Sequence, residues 1–313
     1  MKVYSGISDL DDGLRGAVLT VGNFDGVHLG HQRILRTARA LATVSRAKVV
    51  AMTFEPHPLA ILTPDRAPAR LTPWEEKARL LESAGADAII RLESDKSLLG
   101  MPAEDFVREI LVSRIHPSYI VEGPNFGFGR GRKGNVELLR ALSPKGGFQV
   151  RLVDSYRLHV EAGDHVIVSS TVVRELLQSG GVEDAAQCLG RPFALVGEIV
   201  SGDAAGRHLG FPTINLRVGD QIMPAEGVYA GTVEIAGWRA RAAISIGRRP
   251  TLSGQSLVIE AFVLDRSGDW YGEAARLELV SRVRDQVKFD TREALADQIA
   301  RDVQAVRETE MGL

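Results

Sequence analysis

The sequence predicts two domains of different class. Residues 1–188 read as an α/β doubly wound parallel sheet, and residues 189–313 as a small antiparallel β-barrel followed by a C-terminal helix. Three observations carry this. Before Leu189, continuous apolar runs alternate with helical patterns, as in a parallel sheet covered on both faces. After Phe193 the apolar residues recur at every second position, as half-buried antiparallel strands require. Near the end, Leu295, Ile299, Val303 and Val306 fall at helical spacing.

Composition sets the bounds. A chain of 313 residues, 44% hydrophobic and 25% charged, has room for about two ordinary domains with sizeable cores. Its formal net charge of -2 provides no global field toward nucleic acid or an anionic membrane, so neither is expected as a partner. The single cysteine, Cys188, excludes an internal disulfide framework and fits a reducing cytoplasm. No apolar run approaches the roughly 18 residues of a membrane span. The start, Met1-Lys2-Val3-Tyr4, does not read as a secretory leader.

Taken in order, Ala17 to Val21 is a short apolar strand and Gln32 to Val44 a helix with Ile34, Leu35, Ala38, Leu41 and Ala42 on one face. Ala47 to Phe54 is a strand buried on both faces, stopped by Glu55-Pro56-His57-Pro58, because proline cannot continue a central ladder. A helix follows from about Pro73, with Gly85 beyond its end. Further strands are expected at Ala88–Leu92, Tyr119–Val121 and Phe148–Val153, with a helix from Pro102 to Ile115 between them. In such a sheet, ligands bind at the carboxyl ends of the strands.

The candidate chemistry gathers in loops at that edge. Gly22-Asn23-Phe24-Asp25-Gly26-Val27-His28-Leu29-Gly30-His31 joins a strand to a helix start, where free N–H groups and the helix dipole favour phosphate. His28 and His31 stand at its mouth. The loop Glu122 to Asn135 has five glycines, Phe126 and Phe128 as faces for an aromatic ligand, and Asn125, which can both donate and accept. It reads equally well as a flexible solvated loop. Ser170 is a candidate N-cap for a helix ended by Gly180, with Thr171 and Arg174 in its first turns.

In the second half, strands are expected at Ala194–Val200, around Tyr229–Ile235, at Trp238–Ile246, at Leu257–Leu264 and at Ala275–Val280, enough for a small closed barrel. Gly206 and Gly210 permit backbone approach. Thr213 and Asn215, two apart, share one side of a strand, where neutral oxygens suit a Mg²⁺ held mostly by phosphates. Glu260 stands alone in the apolar run Leu257 to Leu264. It is either a barrel-lining base or an outward-facing, exposed glutamate.

Together these residues resemble the bifunctional bacterial riboflavin kinase/FMN adenylyltransferase (FAD synthetase) family. The resemblance rests on Gly22–His31, Thr53–Pro58, Gly123–Gly129, Ser169–Thr171 with Arg174, Gly210–Leu216, Pro224 with Gly227–Tyr229, Gly247 with Pro250–Thr251, and Glu260. It implies a nucleotidyltransferase domain and a kinase barrel, with riboflavin, ATP and FMN as substrates, FMN and FAD as products, and Mg²⁺ as cofactor. It further implies His28, His31 and Glu260 as catalytic residues. ATP contacts would come from Gly22, Asn23, Phe24, Asp25, Gly30, Ser170, Thr171, Arg174, Gly206 and Gly210. Flavin contacts would come from Asn125, Phe126 and Phe128, and Mg²⁺ contacts from Thr213 and Asn215. Three positions depart from the family pattern: Ser245 replaces a usual asparagine, Phe262 a histidine and Gln286 a glutamate. They leave open an FMN adenylyltransferase whose kinase half only binds flavin. A cytidylyltransferase or aminoacyl-tRNA synthetase also shares His-x-Gly-His, but not the barrel blocks. A metal at His28 and His31 lacks further ligands. The sequence leaves self-association open.

Overall fold

The computed structural model describes residues 1–160, 163–202, 210–251 and 254–311, with the backbone alone at 163–164, 249–251 and 254–256. Two compact units emerge, Met1–Ala69 with Trp74–Arg157, and Arg70–Pro73 with Leu158–Leu313.

The first unit is a six-stranded parallel sheet. Its strands are β1 (Lys2–Tyr4), β2 (Val18–Val21), β3 (Val49–Glu55), β4 (Ala88–Glu93), β5 (Tyr119–Glu122) and β6 (Gln149–Leu152), in spatial order β1-β4-β3-β2-β5-β6. The runs around β2 and β3 are buried on both faces because successive side chains enter different cores. Leu19, Val21, Val50 and Met52 belong to one cluster, and Val18, Val49, Ala51 and Ile89 to another. Helix α1 (Leu29–Ser45) begins three residues before the expected Gln32, since His28 takes the N-cap position. Helices α2 (Pro58–Leu62) and α3 (Trp74–Ser83) follow β3. The expected Pro102–Ile115 helix is one α-helical turn that becomes π-helical from Phe106 to Ile115. A further helix, α4 (Val136–Gly146), precedes β6.

The second unit opens with a hairpin of β7 (Arg157–Val160) and β8 (Gly163–Ile167), then α5 (Ser170–Ser179) and α6 (Val182–Leu189). The barrel follows: β9 (Phe193–Val200), β10 (Thr213–Val218), β11 (Gly227–Ile235), β12 (Trp238–Thr251), β13 (Gly254–Val263) and β14 (Ala274–Arg284). It closes in the order β10-β13-β12-β11-β14-β9, with β9 paired to β10. Helix α7 (Arg292–Glu308) ends the fold.

One expectation fails in an instructive way. β11 should alternate, yet every residue in it except Glu234 is buried. α7 packs Val306 against Ala230 and Leu264 on the outside of the barrel, so β11 is covered on both sides. The apolar stripe of α7 then divides. Val303 and Val306 join that cluster, while Leu295 and Ile299 line a cavity. Asp302, on the same helix and buried, grips Arg284 through two bonds of 2.8 and 2.6 Å. Replacing Asp302 by Ala strands a largely buried guanidinium. The variant should lose about 3–5 kcal/mol of stability, read as a lower urea midpoint for barrel unfolding.

Candidate active sites

The first site is built where β2 ends. Gly22 N–H donates to the Met52 carbonyl at 2.9 Å, and Thr53 Oγ1 donates to the Asn23 carbonyl at 3.2 Å, so β3 holds the turn from one side. The Asn23 amide nitrogen lies 3.0 Å from His57 Nε2. Between Asn23 and His28 the backbone is strained. Phe24 and Val27 adopt φ of 48° and 40°, and for a β-branched residue this is a true outlier. Both are buried, with Val27 N–H bonded to the Phe24 carbonyl at 3.1 Å, so packing enforces the conformation. Such strain gathers where backbone groups must face a ligand. Asp25 is buried beside them, and Gly30 lies in the first turn of α1.

His28 caps α1, its Nδ1 accepting the His31 N–H at 3.4 Å, which leaves Nε2 to carry the proton of a neutral ring. The two imidazoles stack at 3.7 Å and 20°, and Phe24 meets His31 edge-on at 5.2 Å. Burial, then His28, then the Lys77 ammonium hold His31 well below the ordinary imidazole pKa. Its Nδ1 is buried without a partner among the described residues. Two imidazoles stacked at a helix N-terminus have the geometry to offer N–H groups to an anion. Lys77, buried on α3, pairs with Glu55 at 3.3 Å. Sequence reading missed it, because nothing in a helical pattern marks which lysine turns inward.

The loop from Glu122 to Asn135 is ordered rather than loosely solvated. Phe128 and Gly134 exchange main-chain bonds of 3.1 and 2.9 Å, and Arg132 reaches the Asn125 carbonyl at 3.3 Å. Gly129, at φ +70°, passes so close to Ala103 that a Cβ would stand 2.6 Å from its Cα. Phe128 needs correcting as a ligand face. It is 5% exposed and packs against Phe106 in the core, which leaves the partly buried Phe126, stacked on it at 5.2 Å, as the loop's aromatic surface. Asn125 is exposed. Glu122, missed as a site residue, is fully buried. Burial pushes its carboxyl well above the ordinary range, only partly opposed by the Val21 N–H that it accepts at 2.7 Å.

The helix start at Ser169 lies in the second unit. The N-cap is Ser169, not Ser170: its Oγ accepts the Val172 N–H at 3.3 Å, and its extended backbone (φ −150°) suits the cap. Ser170 and Thr171 open the helix, and Arg174 stands half-buried one turn on.

The barrel holds a cavity of about 660 Å³. The register sets Asn215, Glu260 and Ser245 abreast on β10, β13 and β12, with Thr213, Phe262 and Ala243 in the next row. Glu260 lines the cavity and accepts the Thr213 hydroxyl at 3.3 Å, so the outward-facing alternative is not realised. Asn215 is buried beside Gly202, where a Cβ would stand 2.3 Å from its amide nitrogen. The three departures meet here. Gln286 Nε2 donates to Ser245 Oγ at 2.9 Å and to the Ile246 carbonyl at 3.0 Å, and Phe262 meets Phe211 edge-on at 5.4 Å. Gly210 is exposed at φ +84°, while Gly206 lies outside the described residues. Among the described residues no cluster of three His, Cys, Asp or Glu side chains could cage a metal.

Comparison with known proteins follows this division. A family model described as FAD synthetase matches residues 11–171, and one described as riboflavin kinase matches residues 189–310. The bifunctional riboflavin kinase/FMN adenylyltransferase of Escherichia coli (strain K12) is 36% identical, covering 98% of this chain and 97% of the relative. That of Haemophilus influenzae is 33% identical over 98% of both chains. A solved structure titled a macrolide-efflux protein, from Streptococcus pneumoniae, superposes with a TM-score of 0.87 at 30% identity, covering 98% of this chain and 99% of that one. Among the described residues no helix is long and apolar enough to cross a membrane.

The buried acid gives a pH test. Folded Glu122 keeps a proton that the unfolded chain releases above its ordinary pKa of 4.5, so stability falls as pH rises from there until the buried acid itself ionises. Gln keeps the acceptor and cannot ionise. Urea unfolding of E122Q should match wild type near pH 4 and exceed it increasingly as pH rises above the ordinary carboxylate range.

Proposed function

The chain belongs to the bifunctional riboflavin kinase/FMN adenylyltransferase family, and on that premise we propose that it carries out both reactions in sequence. Residues 189–313 phosphorylate riboflavin to FMN, and residues 1–188 adenylylate FMN to FAD. The observation that favours two reactions over an adenylyltransferase with an inert barrel is Glu260, turned into a cavity large enough for a flavin and already accepting a hydroxyl.

In the barrel, the terminal ribityl hydroxyl attacks the γ-phosphorus of ATP, the β–γ bridging bond breaks and ADP leaves. A hydroxyl is a weak nucleophile at neutral pH, so Glu260 takes its proton as the new P–O bond forms. Thr213, bonded to Glu260, and Asn215, abreast of it, offer neutral oxygens of the hard type that Mg²⁺ accepts. Mg²⁺ bound there would neutralise phosphate charge. The Ser245–Gln286 bond fixes a neutral amide in the cavity wall where the family pattern has a carboxylate. Phe211 and Phe262 supply apolar faces.

In the α/β domain, a phosphate oxygen of FMN attacks the α-phosphorus of a second ATP and pyrophosphate departs. The nucleophile is ionised already, since the second pKa of a phosphate monoester is about 6. No base is required, which suits two histidines held neutral. Their N–H groups meet charge as it builds on the transferring phosphoryl. Gly22, Asn23, Phe24, Asp25 and Gly30 frame the triphosphate, and Asn125 with Phe126 meets the flavin. Gly206 and Gly210 serve ATP in the barrel. The single cysteine fits a cytoplasmic location.

Purified protein given riboflavin, ATP and Mg²⁺ should form FMN and then FAD. Conversion of supplied FMN alone would sink the kinase assignment. Glu260→Ala should slow FMN formation by about 10²–10⁴-fold and spare FMN adenylylation. His28→Ala should slow FAD formation by about 10²–10³-fold and spare FMN formation. Gln286→Ala should raise the riboflavin KM by about tenfold while leaving FMN adenylylation unchanged, the loss expected of one hydrogen-bonded wall element.

A further inference from the structure

Glu122 has no part in either reaction as described, and its position is unusual. β2 and β5 are neighbours at the centre of the sheet, yet their ladder holds only two register pairs, Val18 with Tyr119 and Leu19 with Ile120. β2 stays with β3 through Val21 and Met52, and β5 stays with β6 through Glu122 and Leu152. The sheet therefore parts at its carboxyl edge, between the strands where chain order reverses, which is where such sheets take their ligands.

Had the ladder continued in register, Val21 would lie opposite Glu122. The Val21 N–H would then bond the Val121 carbonyl; in the parted sheet it is accepted by the Glu122 carboxyl at 2.7 Å, while the Glu122 carbonyl faces β6 and accepts the Val153 N–H at 2.8 Å. The side chain thus replaces a strand carbonyl at greater reach. It satisfies a main-chain donor that the parted sheet would otherwise orphan. Among the described residues Glu122 forms no ion pair, and burial at 3% exposure raises its carboxyl well above the ordinary range, which favours the neutral acid across the gap. The residues that follow Val21 are Gly22 to Asp25, tied to β3 through Gly22 and Asn23. β3 fastens the turn through the Gly22 N–H and the Thr53 hydroxyl, and on the β5 side the carboxyl fastens Val21, the residue that leads into it.

We propose that Glu122 is a positioning residue for adenylyl transfer, its carboxyl setting the opening between β2 and β5 at which the Gly22–Asp25 turn meets the phosphates of a nucleoside triphosphate. The proposal rests on the adenylyl-transfer reading of this unit. It predicts that reach and acceptor chemistry matter, while charge does not.

The full-length chain tests it with E122Q, E122L and E122D. The measurements are kcat and KM for ATP in FMN adenylylation, riboflavin phosphorylation as a control for folding, and hydrogen exchange at the Val21 amide. E122Q should stay within twofold of wild type in all of them. E122L, which lacks an acceptor, and E122D, one methylene short, should raise the ATP KM at least tenfold, speed Val21 exchange and leave riboflavin phosphorylation unchanged. Wild-type KM in E122D, equal losses in E122Q and E122L, or unchanged Val21 exchange in E122L would each overturn the proposal. E122D and E122Q decide the matter if E122L does not fold. Failure of the wild-type protein to make FAD would instead overturn the adenylyl-transfer reading.

Discussion

A parallel sheet whose strand order reverses must leave its two central strands running to loops on opposite faces, and the first unit is arranged around that constraint. β2 and β5 part after two pairs, and the turn after β2 leaves the sheet at that edge with its Gly22 N–H still bonded to the Met52 carbonyl of β3. The strain at Phe24 and Val27, the cap at His28 and the stacked imidazoles follow from bending a chain from a central strand into a helix within so few residues. Phosphate chemistry needs little beyond such a frame, because its nucleophile arrives charged.

The barrel solves a different problem, the activation of an uncharged hydroxyl. Its register does the placing. Antiparallel pairing across three strands puts Asn215, Glu260 and Ser245 side by side, and the pleat sends them to one face. Gln286 extends that row from the segment after β14, so two of the three positions that depart from the family pattern are bonded to each other. An amide here donates to two acceptors, Ser245 Oγ and the Ile246 carbonyl, a task that a carboxylate without a proton cannot perform. Ser245 and Gln286 thus complement each other.

Much of the fold was legible because its signals are local. Apolar runs, the period of two, Gly180 past a helix and the stripe on α7 each report on their own segment. The errors arose where a second element intervenes. β11 lost its alternation when α7 covered its outer face. Phe128 looked like a ligand face until Ala103 and Phe106 closed over it. Ser169 rather than Ser170 caps α5 because the last extended residue, not the next hydroxyl, has the geometry to accept from the third amide onward. Glu122 carried a signal, a carboxylate ending a strand buried on both faces, but its partner lies 101 residues away.

The amino-acid order sufficed for the two domain classes and the family, and it marked the Gly22–His31 turn with its paired histidines and the polar side chains Thr213, Asn215 and Glu260. These depend on residue type and spacing, which a chain carries before it folds. Protonation states, the direction in which Glu260 points, the pairing of Ser245 with Gln286 and the reach of Glu122 across the parted sheet depend on neighbours brought from far along the chain. Burial and long-range register set them, and neither exists until the sheet and the barrel have closed.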